Sequence, residues 1–404
     1  MDAFQIAFVI LASVAAWLSF RRVGTPIATP APVTSSAKPR YRSLQDTMGR
    51  GGDNLLLLRM LAASLVIYAH SYALSPIKVG RDLVTDLFGI YAGSIAVYVF
   101  FFISGFLVTG SWQRRHDLRA FLTARLFRVV PAYAVCLIGC ALLIGPAVSQ
   151  LDAATYFRDG QTWSYIFHNL SFTERLQPGL PGVFLDHPRE SVNGSLWTLP
   201  AEVRAYTLLA ILGVTGVLSR RWRTAIFLGA GYTLVLLWDS PIPLVNMKIA
   251  KPLIGYFALG VLTWTFRERL PLNLWIGIAL TIASAIARLS RDQSYVYLFA
   301  LALCYLCLLF AYRLTSLGFY NRFGDFSYGI YLWGFPMQQV VIYWLADPAP
   351  SMITLLAWPM ALLCAVFSWR LIEKPAIALG RRFTSRAGAS PPRESGAMAN
   401  RASP

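Results

Sequence analysis

Between Leu55 and Leu371, apolar blocks of 17 or more residues recur, broken by short polar stretches. A bilayer's hydrocarbon core calls for about 20 apolar residues per helix, so the pattern predicts membrane helices. Ten spans are expected, at 54–77, 87–112, 129–148, 196–218, 224–238, 252–266, 272–287, 294–312, 326–345 and 352–369. The span at 252–266 has 15 residues and contains Pro252, Gly255 and Gly260, so it is expected to tilt against its neighbours. An eleventh apolar stretch, Phe4 to Phe20, is followed by Arg21-Arg22 and has no basic region before it. A cleaved signal peptide carries its positive charge first, so an uncleaved helix with its amino end outside is expected. The predicted fold is all-α: a polytopic membrane helix bundle with a ten-helix core and one extra N-terminal transmembrane helix. Residues 1–20 form that helix, 21–53 a flexible cytoplasmic linker rich in Pro, Ser, Thr and Ala, 54–375 the membrane domain, and 376–404 a disordered cytoplasmic tail.

Composition agrees with this reading. Hydrophobic residues make up 56% of the 404 and charged residues 14%, against about 25% charged in soluble domains. The net charge of +17 raises the question of a nucleic-acid partner, and its distribution answers it. With the linker inside, 25 of the 36 Lys and Arg residues fall in cytoplasmic segments and 9 in outer ones, while Arg59 and Arg204 lie within spans. The positive-inside rule accounts for that surplus, and no nucleic acid is needed. The five cysteines all lie in apolar segments, so neither a disulfide framework nor a metal site follows, and no metal is expected.

Candidate chemistry comes from ionisable groups placed where lipid should be, since each costs several kcal/mol unless paired or hydrated. Four stand out: Arg59, His70, Glu202 and Arg204. Arg59 and His70 share one span, about 16 Å apart along the axis and on nearly the same face. An imidazole suits proton transfer from a hydroxyl, although a hydrogen bond for helix packing explains a lone His equally simply. Glu202 either supports an imidazole or pairs with a cation such as Arg204. Arg125 and Arg128, spaced i, i+3, project from one helical face and suit a phosphate-bearing ligand; ordinary cytoplasmic anchoring is the alternative. The long outer segment, about 149–195, carries Trp163, Tyr165, His168, Asn169, His187 and Arg189, which suit either a sugar platform or a plain surface loop.

Taken in order, these pieces resemble the acyltransferase-3 family. The resemblance runs from about Asn54 to Pro375. It rests on Arg59 with His70, Phe101-Phe102-Ile103-Ser104-Gly105-Phe106-Leu107, Arg125-x-x-Arg128 ahead of Pro131 and Tyr133, Ser195-Leu196-Trp197 with Glu202, Ser327 to Leu332, and Glu373-Lys374-Pro375. It implies an integral membrane O-acyltransferase that uses acyl-CoA, commonly acetyl-CoA, and acts on hydroxyls of extracytoplasmic or lipid-linked glycans. By that resemblance His70 is catalytic, Arg125 and Arg128 bind the donor, and Arg59 supports donor or transfer path. Glu202 is expected to orient His70, and Ser104 or Tyr331 to donate to the developing oxyanion. Gly334 follows Tyr331-Leu332-Trp333 where the family often has His, and the extra N-terminal helix is a second departure. Family members sometimes carry a fused extracytoplasmic hydrolase-like domain; none is expected after the last span here, so the enzyme is expected to act alone or to rely on a separate extracytoplasmic protein. The expected location is the inner membrane, with the C-terminus cytoplasmic. The competing class is a transporter or flippase of a glycolipid or small solute, because intramembrane charges also line translocation paths.

Overall fold

The computed structural model describes residues 42–48, 52–77, 79–173, 176–237 and 251–386. The expected helix at 1–20, most of the linker and the tail beyond 386 lie outside the described residues. Within them each of the ten expected spans coincides with a helix, and no strand forms beyond two isolated bridges. Among the described residues five helices are long and apolar enough to cross a membrane by length and composition, and Leu274–Leu289 is a shorter apolar helix. The chain is thus a helical membrane protein with several apolar helices.

In chain order the elements are α1 (Leu44–Met48), α2 (Leu55–Leu74), α3 (Leu83–Phe88), α4 (Ala92–Arg115) and α5 (Leu118–Gly139). After α5 a π-turn at Cys140–Ile144 leads into Gly145–Val148. Then come α6 (Ala153–Arg158), α7 (Gly160–Leu170), α8 (Thr198–Val214), α9 (Arg221–Leu237) and α10 (Lys251–Thr265). The last five are α11 (Leu274–Leu289), α12 (Tyr295–Arg313), α13 (Ser327–Leu345), α14 (Pro350–Ser368) and, past a second π-turn at Trp369–Glu373, α15 (Lys374–Arg386).

Three boundaries differ from expectation, each for a physical reason. α5 starts at Leu118 rather than 129, because Asp117 caps it by accepting from the backbone N–H groups of Arg119 (2.9 Å) and Ala120 (3.3 Å). This places Arg125 and Arg128 on a helix. The end of the expected linker is docked: Leu44 is fully buried, and its N–H donates to the Leu270 carbonyl at 2.8 Å. Residues 376–386, assigned to the tail, continue as helix α15, whose Phe383 stacks on Phe127 of α5.

Helices α4 and α10 cross in close contact. A Cβ on Gly105 would stand 2.1 Å from the Phe257 carbonyl oxygen, and one on Gly260 would stand 2.2 Å from that of Phe102. Only glycine admits such an approach, which is how membrane helices gain packing when lipid offers no hydrophobic drive. The outer segment is folded rather than loose. Asp152 and Asp159 cap α6 and α7, while Tyr165 and Asn169 are buried, with the Asn169 amide donating to the Gln177 carbonyl at 3.0 Å. His187 lies 3.0 Å from the Gln339 amide oxygen of α13. Of the groups that suit a sugar platform or a surface loop, Tyr165 and Asn169 are thus buried within the segment and His187 ties it to α13.

Candidate active site

Five helices converge on a cavity of about 100 Å³. α2 brings Arg59, α4 Ser104, α5 Arg125 and Arg128, α8 Glu202 and Tyr206, and α13 Tyr328 and Tyr331. Of the seven residues given a catalytic, donor-binding or supporting role from the sequence, six line this one space and His70 does not; Arg204, the other intramembrane charge, is not among its lining residues. The helical rise places it further along α2, in a second cavity of about 200 Å³ bordered by Tyr91, Tyr98, Ser195 and Trp197. Tyr331 and Val97 line both cavities.

Asp325, which the sequence reading passed over, organises the cations. It sits in the turn ahead of α13, and its Oδ2 accepts from Arg59 Nη1 at 2.8 Å and Arg128 Nη2 at 2.6 Å. Its Oδ1 accepts from the Ser327 hydroxyl at 2.5 Å. Burial disfavours this carboxylate, but the guanidiniums of Arg59 and Arg128 and the bonds from Ser327 prevail and hold its pKa below the ordinary carboxylate value. Arg128 also reaches Glu373 at 2.8 Å, and Glu373 accepts from the Ser368 hydroxyl at 3.0 Å. Arg59 and Arg128 are thus neutralised from within the protein.

Arg125 is placed differently from its i+3 neighbour. Among the described residues it has no carboxylate within ion-pairing distance; Ser111 Oγ lies 3.4 Å from Nη2, and its guanidinium rests near the rings of Phe121 and Tyr206. Its Nε is buried without a hydrogen-bond partner. A cation with an unsatisfied donor on the wall of a cavity is suited to an anionic ligand.

The structure does not join Glu202 to His70. Glu202 accepts from the Tyr206 hydroxyl, whose oxygen lies 3.1 Å from Ser104 Oγ, all within the first cavity. The group at the imidazole is instead Ser195, whose hydroxyl is 3.5 Å from Nδ1, while the ring edge packs on Phe335. The two proposed oxyanion donors are also committed. Tyr331 donates its proton to the Ser195 carbonyl at 2.5 Å, and since Tyr206 donates to Glu202, the Ser104 hydroxyl donates to Tyr206. Either would have to give up a bond before serving an oxyanion. Ser195 and Trp197, for which spacing along the chain indicated no role, line the His70 cavity.

The comparison that decides the family is a match of the acyltransferase domain, Acyl_transf_3, to residues 53–370. The chain belongs to the acyltransferase-3 family. It is 30% identical to an "O-acetyl transferase" of Shigella phage Sf6 over 336 residues, covering 78% of this chain and 93% of that one. It is 26% identical to "Nodulation protein 10" of Rhizobium leguminosarum bv. viciae, over 83% of this chain and 95% of the relative. A third relative is the "Peptidoglycan O-acetyltransferase OatA" of Listeria monocytogenes, 24% identical over 70% of this chain and 51% of its own length. No solved structure matches the chain. Packing shows what stands beside Gly334, the position where the resemblance leads to an expectation of His. A Cβ there would stand 2.7 Å from Ile67 Cγ1 of α2, so Ile67 occupies the volume a larger side chain would take.

Proposed function

We propose that this acyltransferase is a membrane O-acetyltransferase. It takes an acyl group, acetyl by the names of its relatives, from acyl-CoA and transfers it to a hydroxyl of an extracytoplasmic or lipid-linked glycan. The observation that carries this reading is the pair of adjoining cavities, one walled by three arginines and the other by His70, with Tyr331 common to both. The lysine and arginine distribution supports a cytoplasmic arginine end, where acyl-CoA is found, with the C-terminus on the same side. Arg125 holds a phosphate of the donor, and Arg59 and Arg128, fixed by Asp325 and Glu373, supply the surrounding positive wall.

The reaction follows from these placements. With Nδ1 turned toward Ser195, Nε2 of His70 is the nitrogen left for the acceptor. It takes the hydroxyl proton as the acceptor oxygen attacks the thioester carbonyl; the C–S bond then breaks and the departing CoA thiolate recovers the proton from the imidazolium. Glu202 and Tyr206 belong to the donor side in this scheme. The acceptor is identified by comparing acylation of surface polysaccharide, lipid-linked sugars and secreted metabolites in cells with and without the protein. The mechanism is tested with His70→Ala in proteoliposomes supplied with labelled acetyl-CoA. Removing a general base costs about 10²–10⁴-fold in rate. A folded variant that acylates as fast as wild type removes His70 from the chemistry.

A further inference from the structure

The partition between the cavities has a specific construction. Of the two residues that line both, Val97 is an apolar side chain on α4, whereas Tyr331 is pinned at its tip. Its hydroxyl donates to the Ser195 carbonyl at 2.5 Å and lies 2.5 Å from Thr198 Oγ1, while its ring meets Phe100 edge-on at 5.9 Å. Of these two latch partners, Ser195 lies in the short stretch that leads into α8 and Thr198 is the first residue of that helix, and Ser195 also carries the hydroxyl beside His70. For a thioester in one cavity to meet an alcohol at His70 in the other, this side chain must swing aside.

We propose that Tyr331 determines the choice of alcohol over water as acyl acceptor. Given the donor and acceptor sides argued above, a closed Tyr331 keeps water in the His70 cavity away from the thioester. A water molecule is small beside a space of about 200 Å³, so it does not press on the walls. An acceptor large enough to fill that space crowds the Ser195–Thr198 stretch, draws on the same Ser195 that holds the tyrosine, and releases the latch. Without the partition, water adds to the thioester carbonyl, the C–S bond breaks, and the proton from water ends on the CoA sulfur, giving free thiol and carboxylic acid.

The test uses full-length protein in sealed vesicles with Tyr331→Phe, which loses the latch but keeps the ring, and Tyr331→Ala, which loses both. Thiol release from acetyl-CoA without acceptor is expected to rise roughly tenfold in Tyr331→Phe, the shift expected for about one lost hydrogen bond, and further in Tyr331→Ala. A second readout is independent of the donor. With Ser104→Cys added, a membrane-impermeant thiol reagent applied from the His70 side labels the Tyr331→Ala protein much faster than the Tyr331 protein; the chain lacking Ser104→Cys supplies the background. Unchanged labelling and unchanged thiol release in folded variants overturn the proposal. If even wild type fails to use acetyl-CoA with an acceptor present, the donor assignment falls, and the labelling alone decides whether Tyr331 is the partition.

Discussion

Replacing Asp325 with Asn keeps the side chain's shape and removes the charge that two guanidiniums share. Arg59 then loses its counter-ion, and Arg128 retains only Glu373. Breaking a buried ion pair costs about 3–5 kcal/mol. The side chains here keep 10–21% exposure, and Arg128 stays partly neutralised, so the expected loss is nearer about 2–3 kcal/mol. At roughly 2–4 °C per kcal/mol, the purified protein should melt about 5–10 °C lower in detergent. Arg59→Met should show a loss of its own, and the double variant should lose less than the sum, with a coupling of about 1–2 kcal/mol. The assay is thermal unfolding of the four proteins under identical detergent and lipid, with acyl-CoA affinity measured alongside. Additive losses, or an Asp325→Asn protein that melts with wild type, would refute the claim that Asp325 holds the two arginines in place.

Other consequences are quicker to state. Ser195→Ala should lower kcat by roughly tenfold, less than His70→Ala, with KM for acyl-CoA unchanged, since one positioning hydrogen bond is worth about 1 kcal/mol; an equal loss in the two variants would make Ser195 more than a positioning residue. Gly105→Ala and Gly260→Ala should each cost about 1–3 kcal/mol by forcing α4 away from α10, read as lower folded yield and melting temperature. Because the folded Asp325 carboxyl titrates below its ordinary range, its stabilisation is fully present above the unfolded value of about 4 and is lost as pH falls through the lower folded value. Melting temperature should therefore not decline between pH 8 and 5 through Asp325, and Asp325→Asn should remove the part of any acid destabilisation that this carboxyl causes.

Much of the architecture was legible because a bilayer imposes one demand, long apolar helices, and the blocks from residue 54 onward meet it. The helix ends were less so: α5 starts where Asp117 caps it, amid arginines that read as a loop, and α15 continues past residue 376 through its packing on Phe127. Arg59 and Glu202 were legible because charges inside spans are conspicuous, Arg125 and Arg128 through their i, i+3 spacing, and Ser104 and Tyr331 through the motifs of the resemblance; all six meet in one cavity. Their pairings were not legible. Asp325 and Glu373 lie just outside the drawn spans, so Asp325 gave no signal as an intramembrane charge and Glu373 stood in the Glu373-Lys374-Pro375 motif without a partner, although a buried Arg59 calls for a nearby acid. The link from His70 to Ser195 rather than Glu202 depends on how the stretch ahead of α8 folds over α2, and spacing along the chain carries no trace of it.

The central claim is that the arginine-walled cavity and the His70 cavity are the donor and acceptor halves of a single site. A structure of the protein with a non-hydrolysable acetyl-CoA analogue tests it most directly. The account predicts a phosphate of the analogue against Arg125 and the acyl end at Tyr331, turned toward His70. An analogue seated away from Arg125, or an acyl end that points away from the imidazole, would contradict it.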